Sequence, residues 1–164
     1  MKALVVYYSE TGNTQKVAQA IFEAIYIEKE ISALQELKNS SGYDIIFCGF
    51  PVKAHSVPEK AAKLIRGLAA GQKIAFFSTH GSLRGGHLPK QAFEHAIGLA
   101  AKLKVMGTFG CRGQVIPAVI DKLLQSPEHR AWAEEAMGAV DHPDNNDLAD
   151  AKKFAAEILA RLPR

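Results

Sequence analysis

The chain has 164 residues, of which 48% are hydrophobic and 23% charged, and it carries a formal net charge of +3 at pH 7. This balance suits a soluble globular protein, long enough for one domain with a substantial core over residues 1–164. A dense Lys/Arg run and interleaved aromatic and basic residues are both missing, which excludes a dedicated nucleic-acid binder. No apolar run nears the roughly 20 residues that span a bilayer, so no membrane insertion is expected. Met1-Lys2 leads into a β-type run without a small-residue cleavage site, so the expected location is cytoplasmic. Cys48 and Cys111 read as small buried hydrophobes in a reducing compartment rather than as a disulfide framework.

In chain order, Ala3 to Tyr8 is an apolar, β-branched and aromatic run that predicts a buried strand. The turn Ser9-Glu10-Thr11-Gly12-Asn13-Thr14 follows, and Val17, Ala18, Ile21, Phe22 and Ile25 then mark one stripe of a helix. Glu30 to Leu37 alternates weakly and predicts a short strand, and Asn39 to Gly42 is a turn. Tyr43 to Phe50 is a continuous apolar run, as in a strand buried on both faces. Val57, Ala61, Leu64, Ile65 and Leu68 mark a helix with Pro58 in its first turn, and Lys73 to Ser78 is another buried strand. A polar loop from Thr79 to His87 precedes a helix opened by Pro89, and Lys104 to Cys111 is the last strand. The remainder is helical, interrupted at Asp141 to Asp147. Strands alternating with helices in this way imply right-handed βαβ units and an α/β fold, with a parallel sheet covered on both faces.

In such sheets ligands bind beyond the carboxyl ends of the strands. The first of those ends is the turn at residues 9–14. A helix N-terminus offers unpaired N–H groups and partial positive charge, Ser9, Thr11 and Thr14 add hydroxyls, and Gly12 lets backbone approach a ligand closely. One reading is a phosphate cradle; the other is an ordinary capped helix start. Neither G-x-x-x-x-G-K-[ST] nor G-x-G-x-x-G occurs, so a monophosphate suits the turn better than a nucleoside triphosphate or a dinucleotide. The other loops at that end are Pro51-Val52-Lys53-Ala54-His55-Ser56, Thr79 to His87, and Arg112-Gly113-Gln114. They concentrate cations and histidines, as a solvated rim or as a ligand-facing surface.

Residues Leu4 to Ala18, with Ser9-x-Thr11-Gly12-Asn13-Thr14, resemble the phosphate-loop signature of the flavodoxins. Tyr43 to Val52 and Lys73 to Gly81 fall where that family places its two flavin-contacting loops. The resemblance covers nearly the whole chain. It implies a flavodoxin-like doubly wound sheet of five parallel strands in the order 2-1-3-4-5, and one non-covalent FMN. The phosphate would lie on Ser9, Glu10, Thr11, Gly12, Asn13 and Thr14. The ring would lie between Pro51, Val52, Lys53, Ala54, His55 and Ser56 on one side and Ser78, Thr79, His80, Gly81, Leu83, Gly85, Gly86 and His87 on the other, with Arg112 nearby. No metal site and no catalytic acid or base is implied.

Two features depart from the family pattern. Neither ring loop carries Trp or Tyr, the only Trp being Trp132. Lys53, Arg84, Arg112 and the histidines make the ring loops basic, which favours a reduced flavin anion and a less negative potential than in an acidic flavodoxin. Residues 114–143 form an added helical segment between the last strand and the last helix. It reads either as a lid or partner-docking surface, or as packing in which Trp132 and Met137 join the core. His129 and His142 lack metal-ligand spacing.

The resemblance implies an FMN-binding electron-transfer protein that serves a redox partner protein. Two alternatives stand beside it: an FMN-dependent oxidoreductase acting on a quinone, tetrapyrrole or NAD(P)H, with loop histidines as proton donors, and a flavin-free binding module.

Overall fold

The computed structural model describes residues 1–163. Its strands are β1 (Lys2–Tyr7), β2 (Glu28–Ala33), β3 (Ile45–Pro51), β4 (Lys73–His80) and β5 (Lys104–Arg112). The helices are α1 (Asn13–Ala24), α2 (Glu59–Gly67), α3 (His87–Leu99), α4 (Pro117–Leu124), α5 (Arg130–Met137) and α6 (Asn145–Ala160). All strand pairs are parallel, in the order β2-β1-β3-β4-β5. This is the order that the resemblance implies.

Alternation along the strands divides the core into two layers, because successive side chains leave a strand on opposite faces. Val5, Phe47 and Phe77 pack with Val17, Ile21, Ala155 and Ile158 on the α1/α6 face. Leu4, Val6, Phe50 and Phe76 pack with Ala61, Ile65, Ala92 and Ala96 on the α2/α3 face. Both faces are covered, which is why the central strands are written as unbroken apolar runs. Ala151 and Ala155 on α6, and Ala92 and Ala96 on α3, are fully buried, and their small side chains bring the helices close to the sheet.

The second strand departs from its expected range of Glu30 to Leu37: β2 starts at Glu28 and ends at Ala33, and Leu34–Glu36 form a 3-10 turn. It is an edge strand with one face towards solvent, so Glu28 and Glu30 occupy outward positions and blur the strand signal. Lys2 on β1 pairs with both carboxylates, at 3.2 and 2.6 Å. The other elements shift by only a few residues: Pro58 caps α2 from outside, α3 begins at His87, and β4 runs on to His80.

Backbone hydrogen bonds continue the ladder past the strand ends. Tyr8 N–H donates to Gly49 O (2.9 Å), Val52 N–H to Thr79 O (2.9 Å) and Gly113 N–H to His80 O (2.9 Å). The four loops at the carboxyl end are therefore held side by side before any ligand is considered.

Phe47 is fully buried and meets Phe154 of α6 edge-on, with centroids 6.3 Å apart. Phe47→Ala removes a central core ring and is expected to cost about 3–5 kcal/mol, read as a fall in the urea midpoint.

Candidate functional site

At residues 9–14 the chain turns from β1 into α1 through Gly12, whose φ of +92° lies in the left-handed region that favours glycine. Ser9 Oγ accepts from Gly12 N–H (3.1 Å) and Gln15 N–H (3.4 Å), so this hydroxyl shapes the turn itself. Thr14 is buried and its Oγ1 shares a 2.8 Å hydrogen bond with Thr79 Oγ1, tying the first turn of α1 to β4. Asn13 Nδ2 donates to Gln114 O at 3.0 Å, bringing the loop after β5 alongside. Glu10 bonds Tyr8 OH and Lys53 Nζ, and the Lys53 contact first, then Tyr8, holds its carboxyl below the usual carboxylate range.

A cavity opens among these loops in two adjoining compartments that share Val52, His80, Gly81 and Trp132. The first, about 240 Å³, reaches the turn through Glu10, Thr11, Asn13 and Thr14, and takes in Pro51, Lys53 and Thr79. The second, about 470 Å³, is lined by Ala54 and His55 on one side and by Ser82, Leu123 and His129 on others. Lys53 to Ser56 form a tight turn with reciprocal backbone bonds of 3.2 and 2.8 Å. Ala54 and His55 at its tip have φ of 44° and 65°, an uncommon region for side chains with a Cβ. His95 Nδ1 accepts from Val57 N–H (3.2 Å) and anchors the end of that loop.

The remaining expected residues lie outside both compartments. Gly12 and Ser9 build the turn, and Ser56 closes its own. Ser78 is fully buried, and its hydroxyl has no partner among the described residues. Leu83 is exposed, Gly85 and Gly86 form the turn into α3, and His87 is the first residue of that helix. Arg112 donates from Nη2 to Gly81 O (3.1 Å) and Glu135 O (2.6 Å), bracing the loop after β4 against α5 from behind. Of the three loop cations, Lys53 pairs with Glu10 and Arg84 with Asp150 (2.6 Å), so only Arg112 lacks an acidic partner among the described residues.

The segment after β5, read from sequence either as a lid or as core packing, supplies walls of the cavity. Val115, Ile116, Val119 and Trp132 line the first compartment, and Trp132 also the second. Trp132 Nε1 donates to Ser82 Oγ at 3.0 Å. Helix α5 fits there because Gly81 has no side chain: a Cβ would stand 2.5 Å from Val115 Cγ2 and 3.3 Å from Trp132 Cζ2. Met137, by contrast, is half exposed and does not join the core. The sheet-end rule pointed to residues 112–114, but no local pattern could bring Trp132, eighteen residues beyond Gln114, to the cavity. His142, Asp144 and Asp147 also cluster, and capping of α6 accounts for them. Asp147 Oδ2 accepts from Asp144 N–H (2.9 Å) and bonds His142 Nδ1 (2.5 Å), while Asp144 Oδ1 accepts from Asp147 N–H.

A family model described as flavodoxin domain matches residues 4–156. Among curated proteins, the flavodoxin-like domain-containing protein BilS of Clostridioides difficile (strain CD3) is 29% identical over 173 residues, covering 98% of this chain and 98% of its own. Among solved structures, a flavodoxin from the domain Archaea superposes with a TM-score of 0.65 at 18% identity, over 98% of each chain. A flavoprotein from Lactobacillus acidophilus NCFM, solved in complex with FMN, gives a TM-score of 0.56 at 22% identity, over 66% of this chain and 92% of that one. Both structures share the fold.

His80 is the titratable group buried deepest in the cavity wall, 6% exposed, and burial lowers its pKa below the ordinary 6.5. Well above pH 6.5 the ring is neutral whether the chain is folded or unfolded. Below it the unfolded chain takes up a proton that the folded chain resists, so the stability tied to the neutral ring is lost as pH falls through the folded value. A His80→Gln variant is expected to lose less stability than the parent between pH 8 and pH 5. Equal loss in paired urea titrations would remove this account.

Proposed function

The chain belongs to the flavodoxin family, and on that premise we propose that it binds one FMN and passes electrons to or from a redox partner protein. The observation that carries this reading is the continuity of the cavity. One compartment begins at the N-terminal turn of α1, and the other lies between the loops after β3 and β4.

The residues present fit such a group. The α1 turn offers free backbone N–H groups, a left-handed glycine and the exposed Thr11 hydroxyl to a phosphate dianion. Asn13 and Thr14 flank it, already fixed by their bonds to Gln114 and Thr79. The wider compartment offers Val52, Ala54 and Leu123 as apolar surface for a flat ring system, and Trp132 as an aromatic wall that the loops themselves lack. Bound FMN supplies one- and two-electron chemistry. The protein's part is to hold the phosphate, orient the ring, and limit water through α4 and α5. Arg112 places positive charge behind Gly81, which favours an anionic reduced ring. Because Lys53 and Arg84 are paired with carboxylates, the rise in potential relative to an acidic site rests mainly on Arg112. Both cysteines are free and buried, in keeping with work in a reducing cytoplasm. Among the described residues no helix is long and apolar enough to cross a membrane.

A second reading, an FMN-dependent oxidoreductase acting on a small molecule such as a quinone, a tetrapyrrole or NAD(P)H, draws on one observation. His55 and His129 both line the wider compartment, where a bound substrate would meet them. The carrier reading expects rapid reduction by a partner reductase and no steady-state oxidation of NAD(P)H by the purified protein alone. Sustained turnover without a partner would transfer the assignment to the enzyme.

FMN added to the purified protein is expected to shift its visible spectrum and raise its Tm. Thr11→Ala/Thr14→Ala is expected to weaken FMN at least tenfold while leaving riboflavin, which lacks the phosphate, nearly unchanged. The scale follows from about 1.5–3 kcal/mol per hydrogen bond to a charged group. A double variant with unchanged FMN affinity would reject phosphate binding at this turn.

A further inference from the structure

A third cavity lies on the other side of His80, along the sheet edge between α3 and β5, with a volume of about 520 Å³. Its floor is Gly110 of β5 and the His80 ring, its wall is Phe93 and Ile97 of α3, and Arg84 closes one end. His80 Nδ1 lies 2.9 Å from Ser82 O. A carbonyl only accepts, so Nδ1 carries the hydrogen, and the neutral ring leaves Nε2 as a bare acceptor. No hydrogen bond reaches Nε2 among the described residues, although the side chain is more than nine-tenths buried. An acceptor without a protein partner in a cavity wall can take a hydrogen bond from a ligand donor.

The space at Nε2 exists because residue 110 is glycine. A Cβ there would stand 3.3 Å from Nε2 and 3.2 Å from Phe93 Cε2. Pro89, Phe93, Ile97 and Phe109 form the apolar part of the lining, and Ile97 is 47% exposed. The charged lining is Arg84, Lys90 and Glu94. Arg84 is taken by Asp150 at 2.6 Å, and Lys90 and Glu94 lie four residues apart on α3 at the rim.

We propose that this edge cavity binds a neutral aromatic alcohol of the phenol or naphthol class, its hydroxyl donating to His80 Nε2 and its ring lying against Phe93 and Ile97. The site goes beyond the cofactor reading and does not require it. The two sites share only His80, so a ligand in the edge cavity lies one imidazole ring away from the cofactor cavity.

The test uses 2-naphthol as the probe and 2-methoxynaphthalene as the analogue without a donor, titrated into the purified protein before and after saturation with FMN. The expected result is that 2-naphthol binds about tenfold more tightly than the ether, the scale of one hydrogen bond, and that it shifts the His80 Nε2 resonance in ¹⁵N-labelled protein. Gly110→Ala is expected to abolish that preference by filling the space at Nε2 while FMN affinity is retained. Should Gly110→Ala fail to fold, Ile97→Arg, at an exposed rim position, is expected to weaken 2-naphthol at least tenfold. Equal affinity for alcohol and ether, an unmoved His80 resonance, or undiminished 2-naphthol binding in a folded Gly110→Ala or Ile97→Arg variant would each overturn the proposal.

Discussion

The lateral continuation of the sheet ladder into the loops is the constraint on which the site depends. In a parallel sheet every strand must be re-entered from the same end, so every connection begins at the carboxyl edge. That alone gathers loops at one end without aligning them. The alignment comes from the bonds of Tyr8 to Gly49, Val52 to Thr79, and Gly113 to His80, each of which ties the first residue of a loop to the neighbouring strand. The hydroxyl bond between Thr14 and Thr79 adds the start of α1 to the same frame. A buried backbone group left unpaired at these points would cost about as much as a lost hydrogen bond, so the loops have little freedom to separate.

Helices α4 and α5 rest on that frame. Arg112 reaches back from the end of β5 to the carbonyls of Gly81 and Glu135, and Trp132 bonds Ser82. These contacts join the loop after β4 and α5 into one body that borders the wider compartment. Gly81 is the point of closest approach, and the clamp works only because nothing projects from it. The added segment thereby gives the cavity an aromatic surface that the loops after β3 and β4 lack.

Electrostatically the loops are less basic than their composition suggests. Lys53 and Arg84 have carboxylate partners drawn from elsewhere in the chain, Glu10 and Asp150, so their long-range fields are largely cancelled. His80 lies next to Arg112 and inside the wall, and both burial and that neighbouring charge favour its neutral form. The guanidinium of Arg112, which has no carboxylate partner among the described residues, sets the sign of the local field behind Gly81.

Much of this was legible in the residues themselves. Unbroken apolar runs marked β1, β3 and β4, because a strand covered on both faces needs no polar alternation. The Ser9 to Thr14 turn and the loops after Pro51 and Thr79 were legible because a parallel sheet puts every such turn at one end. Edge strand β2 was read late in the chain and too long, since a strand half open to water tolerates Glu28 and Glu30 in place of apolar residues. Other features had no local signature. Trp132 reaches the cavity because α5 packs over Gly81, the cations are neutralised by partners as far away as Asp150, and the edge cavity opens where Gly110 faces Phe93. Each depends on residues distant in the chain meeting at one point, and only the packed tertiary structure decides such meetings. Local sequence governs backbone preference and the period of burial; it does not carry the distance between side chains on separate elements.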